Sequence, residues 1–330
     1  MRILEYFLID AFTREAFSGN PAAVILDATG VIKNERLLIA REFNVSETAF
    51  LEKLSSTSPS EQKYNINYFS PTTEVNFCGH ATVAALYALA QAGSLKFDEQ
   101  NISKIELFTP VGLLGCLLRR IPKDSTITDF EVSFISPEIV ISYPPFELDE
   151  MLEILNLRHS DLSVNLKPAY EATLEKLLIP IKDRETLFKI NYDFKDLKRF
   201  SQEKVLRGIF LFTQDVIDKE SSAHSRSFAP FYGIKEDPVT GSTNCVLAKY
   251  LIENNIYRNL NAENPVEGYE YDEKTENRVA HQSQNIVLQT EQGDCLNRKG
   301  RIRFEYESDL GKRIKLIANA KLVMKGSLYL

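Results

Sequence analysis

Cysteine is scarce in this 330-residue chain, and the four it has stand far apart. Cys78, Cys116, Cys245 and Cys295 form no C-x-x-C pair, which excludes a disulfide framework and a zinc-ribbon pattern. His80, His159, His224 and His281 are equally scattered, so the spacing predicts no metal site. Glycine (14) and proline (13) are too few for a fibrous or low-complexity protein. Positive charge is not in surplus either: 39 Lys and Arg against 46 Asp and Glu leave a formal charge of −7. Neutralising phosphates needs a basic surface, so neither nucleic acid nor a membrane is expected as a partner. The longest apolar stretch, Ala81–Ala90, is about half the ~20 residues that cross a bilayer. The opening MRILEYFLID is interrupted by Glu5 and Asp10 and reads as a strand rather than a signal peptide, which points to a cytoplasmic protein. G-x-G-x-x-G, the P-loop, H-E-x-x-H and G-x-S-x-G are all missing, so a dehydrogenase or kinase is not expected.

What is present is an ordinary globular composition, 44% hydrophobic and 26% charged, long enough for two domains. Short β-branched or aromatic runs predict strands at Ile3–Asp10, Ala22–Leu26, Thr48–Leu54, Tyr64–Phe69, Ile105–Thr109 and Gly112–Arg119. In the second half they predict strands at Phe130–Ile135, Lys176–Ile181, Gly208–Thr213, Ile286–Gln289, Ile302–Tyr306, Ile314–Ala318 and Leu322–Lys325. Lys33–Phe43 suits a helix. Two further helices, Ala81–Gln91 and Ser242–Ile252, are apolar nearly all round and should each be buried. The polar Ile121–Asp129 suggests a boundary between a lobe at 1–121 and another at 122–330, with the last strands able to return to the first lobe. Asn261–Arg278 is polar and acidic and reads as an exposed insertion.

The two apolar helices share a preamble. Glu74–Thr82 aligns with Glu236–Asn244 at a constant offset, Glu on Glu and Gly on Gly, as a duplicated strand-turn-helix unit would. Each turn sets a glycine and a small polar residue at a helix start, where backbone N–H groups have no internal partner and the dipole is positive. Facing each other, two such starts would cradle a small carboxylate. The plainer reading is that Thr82 and Ser242 cap their helices and Gly79 and Gly241 merely allow tight turns. His80 beside one turn, Glu236 and Asp237 at the other, and Glu47 entering an apolar strand are unusual for capping alone. A carboxylate among apolar residues is a candidate for a raised pKa and acid–base work.

Asp10-Ala11-Phe12, Gly19-Asn20-Pro21-Ala22-Ala23-Val24, Ser46-Glu47-Thr48-Ala49-Phe50, Phe69–Val75, Cys78–Thr82 and Glu236–Ser242 follow one another in an order that resembles the PhzF-like proteins, the phenazine-biosynthesis isomerase family of the diaminopimelate-epimerase-like fold. Gln292-Gly293-Asp294-Cys295 is a later echo. The resemblance implies an α+β fold of two pseudo-symmetric lobes, each a β-barrel-like sheet around a central apolar helix. It implies a cofactor-independent site between the lobes, with Glu47 as proton shuttle, His80 and Asp237 holding substrate, and Gly79, Gly241 and Ser242 at the helix starts. A homodimer is plausible on the same ground. Much of Pro137–Phe200 matches no motif, and Asn297-Arg298-Lys299-Gly300 replaces the usual Gly-Arg, so substrate-shaping loops differ.

The expected activity is an isomerase that shifts a proton on a small carboxylate-bearing substrate. An amino-acid racemase or epimerase of the same fold is the alternative; it uses two thiols, and the repeat partner of Cys78 is Thr240. A non-catalytic protein binding a small acid or a protein partner is the third reading, against which an unpaired Glu47 argues.

Overall fold

The computed structural model describes residues 1–55, 61–124, 127–261 and 285–330. The expected insertion Asn261–Arg278 lies outside the described residues, apart from Asn261 itself.

The strand pairings repeat. In the first half, Ile3–Ala11 pairs antiparallel with Asn20–Ile25, which runs parallel to Glu47–Lys53. That strand pairs antiparallel with Lys63–Phe69, itself flanked by the short antiparallel Glu74–Val75 and the parallel Ile102–Thr109. Antiparallel Gly112–Asp124 and Ile127–Ile135 finish the series. The second half runs through the same sequence of antiparallel and parallel partners. Its strands are Ala169–Glu171, Lys176–Pro180, Gly208–Thr213, Ser221–Ala229, Ile234–Asp237, Ile286–Gln292, Gly300–Tyr306 and Lys315–Tyr329. A parallel neighbour needs a crossover, and helices supply it at matching places: Lys33–Phe43 and Gly79–Gln91 in one half, Arg184–Lys189 with Phe194–Glu203 and then Gly241–Glu253 in the other.

Gly79–Gln91 and Gly241–Glu253 are the central helices. Every residue from His80 to Ala90 is buried, as is every residue from Thr243 to Leu251. Both lie in one continuous apolar core with Phe7, Ala49, Tyr68, Phe210, Phe212 and Phe304. Of the described residues, no helix is long and apolar enough to cross a membrane.

One expectation needs correction. The boundary at 121/122 falls within a hairpin: Ile121 faces Asp129 and Pro122 faces Thr128. Its polar composition reflects exposed strand ends such as Arg120 and Pro122, not a linker. The long final strand also ties the halves, pairing with both Ile3–Ala11 and Ile127–Ile135. Ser221–Ala229 was not legible as a strand because its composition is polar, yet all nine residues are buried. Internal partners hold several of its side chains: His224 Nδ1 meets Glu291 Oε1 at 2.7 Å, and Arg226 pairs with Glu236.

Candidate active site

The two parallel strands Asn20–Ile25 and Glu47–Lys53 begin at the same end of the sheet, so Asn20 and Glu47 arrive together near the first helix start. Asn20 is set by the turn before it. Gly19 has φ +61°, and a Cβ there would lie 2.1 Å from the Ala11 carbonyl oxygen, so only glycine fits. Glu47 shares strand parity with Ala49 and Leu51, which face the core, and its side chain therefore points inward.

The central helices start at Gly79 and Gly241, with Cys78 and Thr240 as the preceding residues and no side-chain cap on either. The capping reading of Thr82 and Ser242 therefore fails. Thr82 Oγ1 instead donates to the Cys78 carbonyl at 2.8 Å and meets the Tyr68 hydroxyl at 2.6 Å. The two starts abut: a Cβ on Gly79 would stand 3.9 Å from Gly241 Cα and 4.0 Å from Ser242 N. Gly241 has less room, because a Cβ there would lie 2.9 Å from Phe12 Cζ. Ser242 is partly exposed beside this contact.

Around that junction the structure gathers residues from both halves. His80 Nε2 lies 3.2 Å from Glu47 Oε2 and 3.2 Å from Ser46 Oγ. His80 Nδ1 lies 3.3 Å from Cys78 Sγ and 3.2 Å from Asn20 Nδ2. Asn20 Nδ2 donates to Asp237 Oδ1 at 2.7 Å and to the Val239 carbonyl at 2.9 Å. The Thr240 hydroxyl donates to the other oxygen of Asp237. Gln292 holds the turn, donating to the Asp237 carbonyl and accepting from Thr240 N. Ser46 Oγ donates in turn to Asn20 Oδ1 at 3.4 Å. Glu47, His80 and Asp237, drawn from three distant stretches, thus lie in one hydrogen-bonded chain that runs through Ser46 and Asn20.

Burial shapes the charges. Burial pushes the Glu47 carboxyl up, but the His80 hydrogen bond and charge, with Ser46 and Cys78, outweigh it and hold Glu47 below the usual carboxylate range. Burial pulls the His80 imidazole down, yet the Cys78 sulfur and the Glu47 carboxylate carry it well above its ordinary value. Burial pushes Asp237 up against the charge of His80 and the Thr240 and Asn20 hydrogen bonds, and here burial wins. Burial also pushes the Cys78 thiol up. The expected raised carboxyl is therefore Asp237, while Glu47 stands ionised. The donor count agrees with an imidazolium at His80: its two N–H groups serve Glu47 and Cys78, and the two hydrogens of Asn20 Nδ2 serve Asp237 and Val239.

Glu47, Cys78 and His80 each offer one ligand atom within 4.8 Å of the others, a donor set that suits zinc by type. Two surface cavities, about 490 and 610 Å³, lie elsewhere, one beside Arg14, Arg119 and Arg303, the other beside Gln62, Cys116 and Phe134. Neither gathers a buried acid–base group, so chemistry rather than volume marks the site. Asn20 and Gln292 are the residues that sequence reasoning did not assign. Both stand in quoted motifs, but their role depends on contacts across the halves.

The chain matches the family model described as phenazine biosynthesis-like protein over residues 9–326. It is 31% identical over 339 residues to an uncharacterised isomerase of Clostridium acetobutylicum, covering 100% of this chain and 99% of that one. A phenazine biosynthesis-like domain-containing protein of Mus musculus is 34% identical over 257 residues, 75% of this chain and 83% of its own length. Among solved structures, a phenazine biosynthesis protein of the PhzF family from Bacillus anthracis superposes with TM-score 0.77 at 24% identity over 100% of both chains. A hydroxyproline epimerase from Agrobacterium vitis reaches 0.56 at 10% identity over 100% of this chain and 93% of its own. The fold is thereby the diaminopimelate-epimerase-like α+β fold, two pseudo-symmetric lobes with a sheet wrapped around a central helix in each.

Proposed function

The chain belongs to the phenazine biosynthesis-like family, and from that premise we propose that it is an isomerase that moves a proton within a small carboxylate-bearing substrate seated between the two helix starts. The observation that carries this reading is a pair of carboxyl groups pushed in opposite directions within one hydrogen-bonded chain. Environments that separate two acids assign the base and the acid. Glu47, held ionised by His80, is the base. It takes a proton from a substrate carbon, and the bonding pair of that C–H shifts along the conjugated system. Protonated Glu47 then returns the proton to a second carbon, so substrate and product share one formula. His80 orients Glu47 and balances its charge. Asp237, held by Asn20 and Thr240, orients a polar substituent of the substrate. The amides of Gly79–Ala81 and Gly241–Thr243 receive the carboxylate. Base and acid both come from the chain, so the reaction calls for no cofactor.

Two-thiol racemisation is supported less. Opposite Cys78 stands Thr240, whose hydroxyl is a poor base and is already donated to Asp237. Cys245 is buried in its helix, with its thiol pushed up to about 12. The test is a screen of small unsaturated carboxylates in deuterated water, followed by mass spectrometry. Wild type should incorporate solvent deuterium into a substrate that Glu47→Gln binds but leaves unlabelled. Equal labelling by both proteins would end the proton-shuttle reading.

A further inference from the structure

The internal repeat assigns every site residue of one half a counterpart in the other. Glu47 is the first residue of the strand that pairs in parallel with Asn20–Ile25, and Ala22 is its register partner. The matching strand of the second half begins at Gly208, whose register partner is Lys176. The position that carries the base in one half thus carries no side chain in the other.

The space is filled from the neighbouring strand. A Cβ on Gly208 would lie 2.8 Å from both Lys176 Cδ and Lys176 Nζ, so the lysine side chain lies across the glycine. The amine donates to the Arg207 carbonyl at 3.2 Å. Strand parity fixes its direction. Leu178, Phe210 and Phe212 face the core of the central helices, whereas Leu177, Ile179, Ile209 and Leu211 face the outer cluster. Lys176, two residues before Leu178, shares the inner face.

The end of the barrel follows too. Phe212 meets Tyr250, near the C-terminal end of the second central helix, with ring centroids 5.5 Å apart. Gly208 and Lys176 lie about four residues back along the sheet, ~13 Å towards the helix start.

Resting on the reading of a carboxylate substrate, we propose that Lys176 is a substrate-specificity residue, the cation that receives the substrate carboxylate on the second-lobe side. With Glu47 opposite, the substrate is oriented by charge: its carboxylate towards Lys176 and the second helix start, its reacting carbons towards Glu47. The electrostatics agree. Burial pushes the Lys176 amine down to about 8, and Asp237 is the largest charge acting on it, ahead of Arg207, Glu175 and Glu171. Its amine is bonded to a carbonyl rather than to a carboxylate, so a bound carboxylate adds a direct counter-charge.

The experiment uses the full chain and benzoate as probe, with benzyl alcohol as its uncharged comparison, and binding is read by calorimetry. Lys176→Met should weaken benzoate about tenfold or more, as expected for a lost charge-assisted hydrogen bond, and leave benzyl alcohol unchanged. Lys176→Arg should restore benzoate. Wild-type affinity should also fall as pH rises through about 8, and this fall should vanish in Lys176→Arg. Unchanged thermal melts would show that the variants fold. Equal benzoate binding by wild type and Lys176→Met overturns the proposal, as does a wild type that takes up no benzoate. Glu47→Gln separates the two readings: a substrate left unlabelled with intact benzoate binding speaks for the proton shuttle, whatever Lys176 does.

Discussion

The two central helices begin alike and are furnished oppositely. Each is preceded by a short strand and a non-glycine residue in extended conformation, opens on glycine, lacks a side-chain cap and runs buried for three turns. At the first start, a histidine and a glutamate settle into an ion pair, and both are stabilised in their charged forms. At the second, a serine replaces the histidine, a glycine replaces the glutamate, and the aspartate has the charge of His80 with hydroxyl and amide donors, which together do not offset its burial. The fold carries the backbone device twice. Its side chains split the pair into a charged side and a side with a reluctant acid, an asymmetry that a proton transfer with a direction can use.

The largest expected effect of breaking this asymmetry is on chemistry. Glu47→Gln keeps the shape but cannot exchange a proton, so turnover should fall about 10²–10⁴-fold while ligand affinity survives. Steady-state kinetics on any substrate found by deuterium labelling would check this. A loss confined to KM would mean that Glu47 only binds.

The glycines come next. Gly241→Ala forces a Cβ against the Phe12 ring, which is fully buried, and should cost about 1–3 kcal/mol in urea unfolding. Gly79→Ala meets nothing closer than 3.9 Å and should leave stability nearly unchanged, yet weaken carboxylate binding by intruding between the helix starts. Equal destabilisation by the two would show that the starts are not differently packed.

The carboxyl groups should answer pH in opposite senses. A lowered folded pKa means that ionised Glu47 contributes stability above its ordinary 4.5, lost as pH falls through the folded value. A raised folded pKa means that ionising Asp237 costs stability at neutral pH, and that this cost fades as pH falls through the folded value towards 3.8. At pH 7, Glu47→Gln should therefore be less stable than wild type by about 1–3 kcal/mol. Asp237→Asn should be as stable or slightly more so. Both gaps should close on acidification. Denaturation curves across pH 3–8, a window of about five units chosen around these values, would show whether the signs differ.

The smallest effect is expected at Cys78. Cys78→Ser leaves the ion pair and the Asp237 turn in place, so turnover should persist within a few-fold. A variant that loses all activity here, while Glu47→Gln keeps it, would promote thiol racemisation.

Much of the fold was legible in the chain. All-round apolar composition marked both central helices as buried, and a constant offset between Glu74–Thr82 and Glu236–Asn244 revealed the repeat, because each depends on local pattern. The polar strand Ser221–Ala229 is not legible in the sequence, and the hairpin at Ile121–Asp129 reads there as a boundary, for the converse reason: partners such as Glu291 and Glu236 reside on other strands, and exposure is not written in composition. At the site, Glu47, His80 and Asp237 could be named from motifs, but which carboxyl carries the charge could not. A pKa is set by desolvation against neighbouring donors and charges, and the neighbours of Glu47 and Asp237 come from strands and turns far away in sequence. The residue types were thus determined by the sequence itself. Their division into an acid held ionised, an acid held back and a lysine lying across a glycine was decided by tertiary structure, because only folding sets an imidazolium within hydrogen-bond reach of one acid, at 3.2 Å, and leaves the other with its charge but not its hydrogen bond.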